Sequence, residues 1–83
     1  MRTVATASQN LAALRQHKGI SLHQIAEATK IGVRYLEAIE CGQFAKLPGG
    51  IYNLSYIRQY ARAAAFSEQE LLERYLRSDD ERD

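Results

Sequence analysis

Hydrophobic residues along this chain return every three or four positions, and no stretch alternates with a period of two. That spacing predicts helices and no sheet. Five are expected, over about residues 8–18, 22–29, 33–41, 50–65 and 68–77. Their ends carry clear punctuation. Ser21 with Gln24, and Ser67 with Glu70, have the S-x-x-Q/E spacing of a capping box, in which the serine oxygen and the longer side chain each accept a backbone N–H. Ile20 with Ile25, and Phe66 with Leu71, stand where a hydrophobic staple would close over those caps. Gly19 and Gly42 follow helical patterns where a left-handed residue is wanted, and Pro48-Gly49-Gly50 breaks the chain before the fourth helix.

The same period predicts the core. Leu11 and Leu14 face inward on the first helix, then Leu22, Ile25 and Ala26 on the second and Leu36 and Ile39 on the third. Ile31 and Leu47 plug connections. Leu54, Ile57, Ala61 and Ala64 form a stripe on the fourth helix, and Leu71, Leu72 and Tyr75 one on the fifth. This is an all-α, compact five-helix domain over residues 8–77, with a frayed start at 1–7 and a frayed acidic tail at 78–83.

Composition narrows the function more than the fold. The chain has 83 residues, 46% hydrophobic and 25% charged, enough for one small core. A single cysteine excludes an internal disulfide and fits a reducing compartment. The start "MRTVATA" lacks the apolar run of a signal peptide, and no segment reaches the roughly 20 apolar residues of a membrane span. A cytoplasmic location is therefore expected, for a whole protein or for part of a longer one. The net charge of +1 conceals a basic body, +5 over residues 1–66, and an acidic end, −4 over residues 67–83.

The second helix, its short turn and the third helix match a helix-turn-helix. Ile25, Ile31, Leu36 and Ile39 fall where the crossed helices pack, with small Ala26 at their closest approach. Lys30 occupies the turn position where glycine is common, so a left-handed lysine is expected, with Gly32 as the N-cap of the third helix. The whole pattern resembles the lambda-repressor-like, or Xre-type, domains. That resemblance implies a salt bridge between Arg15 on the first helix and Glu40 at the end of the third.

A longer match, "ATKI..RYLEAIE.G.F..LP", then "YIR.YAR", then "E.ELL..Y", resembles the cytoplasmic N-terminal domain of the RodZ family of bacterial cell-shape proteins. It includes the lysine turn, the F..LP connector and an aromatic fourth helix. The resemblance implies a binding module that docks a bacterial actin-like cytoskeletal protein through that helix. The family's basic juxtamembrane stretch, membrane span and periplasmic domain have no counterpart in these 83 residues.

Two surfaces compete for the function. On the third helix the outward positions are Val33, Arg34, Glu37, Ala38 and Cys41. Base reading favours Arg, Lys, Asn or Gln, and here Arg34 alone can grip a guanine, while Glu37 can accept from a cytosine but repels phosphates. Lys30 and Lys46 add positive charge, yet residues 21–42 together balance at −1. On the fourth helix Tyr52, Tyr56 and Tyr60 recur every four residues with Arg58 and Arg62 nearby, and tyrosines are strong interface anchors. Tyr60 reads as packing at the core edge; Tyr52, Tyr56 and Arg58 read as the protein-binding set. Docking a protein is the leading reading. The alternative is a transcriptional regulator binding duplex DNA through Lys30, Arg34, Glu37 and Lys46. His17, His23 and Cys41 lack company for metal or nucleophilic chemistry, and the glycine pair at 49–50 follows no strand. With no catalytic constellation, no cofactor motif and no small-molecule site, the chain is expected to be non-enzymatic.

Overall fold

The computed structural model describes residues 11–81, with side chains through Arg77. Five helices follow one another: α1 (Leu11–His17), α2 (Leu22–Thr29), α3 (Val33–Cys41), α4 (Ile51–Ala64) and α5 (Glu68–Glu81). A 3₁₀ turn at Phe44–Lys46 joins α3 to α4. Among the described residues there is no strand. The expected spans of α2 and α3 agree with those observed. The segment 1–7 and the expected start of α1 lie outside the described residues. α5 continues four residues past its expected end into the acidic stretch, because no glycine or proline after Phe66 stops it.

Local chemistry explains the helix ends. Ser21 Oγ accepts from the Gln24 N–H (3.0 Å) and Gln24 Oε1 accepts from the Ser21 N–H (2.8 Å), so the predicted capping box is complete. Ser67 Oγ likewise accepts from the Glu70 N–H. Lys30 is left-handed (φ 65°, ψ 23°), as its place in the turn required, and Gly32 caps α3. A second non-glycine residue, Ala65, is left-handed where α4 ends (φ 61°). Lys18 offsets part of that strain: its Nζ donates to the carbonyls of Ala65 (2.7 Å) and Ala64 (3.2 Å) and lies 4.6 Å over the Phe66 ring.

The core is one cluster drawn from every helix, with Ile25, Leu36, Ile39, Ile57 and Tyr60 at its centre. Three expectations are corrected. Leu14 is 44% exposed, because α1 turns Leu11 and Arg15 inward, one helical turn apart. Leu54 is 37% exposed, since the buried stripe of α4 runs through Asn53 and Ile57 instead. Ala38, expected to face outward, is buried on α3. Phe44 and Leu47 of the connector are also buried, and Phe44 meets Tyr75 of α5 edge-on at 5.2 Å.

Candidate functional site

At the centre, Arg15 and Glu40 form the expected ion pair through Arg15 Nε and Glu40 Oε2, both side chains nearly fully buried. A second contact joins Arg15 Nη2 to Glu40 Oε1 (3.4 Å), and Nη1 donates to the Ile20 carbonyl (2.8 Å). Sequence reasoning missed the third member: the Tyr60 hydroxyl donates to Glu40 Oε2 (2.8 Å) from a ring with no exposed surface. The hydrogen bond to Glu40 raises the Arg15 pKa above its ordinary value, against the opposing effect of burial. Burial first, and then Glu40, push the Tyr60 phenol well above its usual 10.0. This triad ties α1, α3 and α4 together. Its side chains are nearly fully buried, with Glu40 reaching the lining of a depression beside α3.

The exposed chemistry begins where α4 begins. Gly50 sits at φ 60°, ψ −144°, a backbone region that only glycine adopts readily. Asn53 Oδ1 accepts from the Gly49 N–H (2.8 Å), and Asn53 Nδ2 donates to the Tyr75 hydroxyl (3.1 Å). Asn53 thus anchors the turn to α5 while the residues before it project outward: Ile51 is 82% exposed and Tyr52 58%. Tyr52 leans on Tyr56 (ring centroids 6.2 Å apart), and Tyr56 on Tyr35 of α3 (5.8 Å). The Arg34 guanidinium lies 5.6 Å over the Tyr35 ring. One continuous surface of three rings and a cation therefore crosses from α4 to α3. No sequence signal marked Tyr35, because the contact joins residues twenty-one positions apart.

The candidate residues regroup accordingly. Tyr52 and Tyr56 come together, but Arg58 does not join them. At about 100° per residue it points roughly 160° away from Tyr56, into a groove against α5. Arg34, Glu37 and Lys46 border one depression beside α3, together with Ala38, Glu40, Cys41 and Gln43. Arg34 also belongs to the aromatic surface, so its cation rests on a ring beside a carboxylate. Lys30 is exposed in its turn and does not line the depression. Among the described residues no cluster of His, Cys, Asp and Glu could hold a metal ion, and no helix is long and apolar enough to cross a membrane.

The family model described as a helix-turn-helix domain matches residues 10–71. Similar proteins include the cytoskeleton protein RodZ of Streptococcus pneumoniae, 33% identical over 70 residues, which are 84% of this chain and 25% of that protein. Another is the uncharacterized membrane protein YmfM of Bacillus subtilis, 39% identical over 56 residues, 68% of this chain and 19% of that one. The chain thus spans a quarter or less of these curated relatives. No solved structure matches it with significance.

Proposed function

The chain belongs to the helix-turn-helix domain family and is a module of RodZ type, and from that premise we propose that it docks a protein, a bacterial actin-like filament protein, through the start of α4. The module acts without catalysis, on the cytoplasmic side of the cell. The observation that supports this reading is the outward display of Ile51 and Tyr52 on a glycine-built turn, continuous with Tyr56, Tyr35 and Arg34. An isoleucine left 82% exposed gains nothing in folding, whereas a rigid aromatic ridge beside it suits an interface core. Arg34, the best base-reading side chain of α3, is drawn onto that ridge, and Glu37 next to it repels phosphate.

Calorimetric titration against the purified filament protein tests the proposal. Tyr52→Ala should weaken docking by about 2 kcal/mol or more if Tyr52 is an interface hot spot, while Glu37→Ala leaves it unchanged. Unaltered binding by a folded Tyr52→Ala variant would place the partner elsewhere. Duplex DNA should bind in the non-specific range of about 10⁻⁴–10⁻⁶ M and weaken steeply with salt. A selected duplex held about a thousandfold tighter than random DNA at physiological salt would overturn the docking reading in favour of base recognition.

A further inference from the structure

The first turn of α4 displays Ile51 and Tyr52 from a pair of glycines. Gly49 and Gly50 both sit at positive φ, 104° and 60°. Glycine gives up more conformational freedom on ordering than any other residue. No atom beyond the adjacent residues lies within 4 Å of where a Cβ would stand on either one. Packing therefore does not fix the pair, and Gly50, the N-cap of α4, has no side chain to cap the helix. Hydrogen bonds to Asn53 take over. Its backbone N–H donates to the Gly50 carbonyl (3.2 Å), and its Oδ1 accepts from the Gly49 N–H (2.8 Å). Asn53 is itself only 7% exposed, and its Nδ2 donates to the Tyr75 hydroxyl of α5 (3.1 Å). The Tyr75 ring is held in turn, edge-on against buried Phe44 of the connector (5.2 Å).

We propose that Asn53 and Tyr75 form a latch through which α5 holds the first turn of α4, and that, on the docking reading of that turn, they are its positioning residues. Neither belongs to the tyrosine ridge: Asn53 is buried, and Tyr75 stands half-buried on α5. Their effect on a partner passes through Ile51 and Tyr52. A surface held in its binding shape before contact loses less entropy on docking, so the latch raises affinity without adding a contact. The residue type fits the role. A side chain here accepts from a backbone N–H and donates to a hydroxyl, and an amide does both at once. Leucine fills similar space and does neither. Aspartate still accepts from Gly49, and its second oxygen can take the Tyr75 proton; its charge also suits the first turn of a helix.

Amide hydrogen exchange of the 83-residue chain tests the latch without any docking partner. Asn53→Leu should speed exchange at Gly49 about tenfold or more relative to a core amide such as that of Ile57. Tyr75→Phe keeps a ring against Phe44 and removes only the hydroxyl. Gly49, joined to that hydroxyl through Asn53, should still exchange about threefold faster or more. In calorimetric titration both variants, still folded by circular dichroism, should bind the filament protein more weakly, by about tenfold and about threefold in the same order. Asn53→Asp should stay close to the parent chain in both measurements. If Asn53→Leu fails to fold, Tyr75→Phe and Asn53→Asp decide. Parent-like exchange at Gly49 in Tyr75→Phe overturns the proposal. So does parent-like docking by a folded variant whose Gly49 exchange has quickened. A parent chain that does not bind the filament protein overturns the docking reading, and the positioning role with it, while the exchange rates still decide the latch.

Discussion

The two ends of α4 carry the same residue type at the same spacing and use it for opposite purposes. Tyr52, near its start, is 58% exposed; Tyr56 is half-buried; Tyr60, near its end, has no exposed surface. A helix turns about 100° per residue, so each step of four overshoots a full turn by about 40°. Over two steps the tyrosines rotate by roughly 80°, from the outer flank onto the stripe of Asn53, Ile57, Ala61 and Ala64. What waits there is Glu40, which accepts the Tyr60 hydroxyl, so the buried phenol has a partner. At the other end Tyr52 finds only Tyr56 and solvent. A residue spacing that suggests one face therefore spans two environments.

That contrast can be broken from its buried end first. Tyr60→Ala should cost about 3–5 kcal/mol of stability in urea unfolding, since it empties a filled core site and removes a hydrogen bond. Glu40→Ala should cost a similar ~3–5 kcal/mol, because it leaves the Arg15 cation buried without its counter-charge. A loss near zero for either variant would mean that the triad contributes nothing to folding.

Tyr60→Phe is gentler, at about 1 kcal/mol, because the ring still fills its site. It also carries a pH signature. The folded-state pKa of Tyr60 lies above its ordinary value of 10.0. The stabilisation is therefore complete below pH 10 and is lost as the pH rises beyond it, where the unfolded chain ionises first. Thermal melts should show the wild type falling steeply above pH 10 and Tyr60→Phe falling less. Parallel pH profiles would refute the assignment.

At the exposed end, Tyr52→Ala should change stability by less than about 0.5 kcal/mol, and Tyr56→Ala should fall between the two extremes. Equal losses along the series would contradict the rotation. Ala65→Gly should act in the opposite direction, a gain of up to about 1 kcal/mol from relief of left-handed strain, less whatever glycine adds to unfolded-chain entropy.

Much of this architecture is written locally in the chain. The capping box at Ser21 and Gln24, the left-handed Lys30 and the spans of α2 and α3 depend on neighbours within four or five residues. Periodicity located most of the core for the same reason: which side of a helix is apolar is a property of its own sequence. The Arg15–Glu40 pair was legible only through resemblance, since twenty-five residues separate its partners. What the sequence by itself could not decide is how each helix is rotated about its axis once packed. That rotation turned Leu14 and Leu54 outward and drew Ala38 and Asn53 inward, whereas the separation of Arg58 from Tyr56 was already set by their spacing on one helix. The rotation also brought Tyr35 against Tyr56, making one surface from two helices that were read separately. Composition and period determine that a helix has an inner face. Where that face ends is settled by the neighbours it packs against, and its flanks are where these candidate surfaces lie.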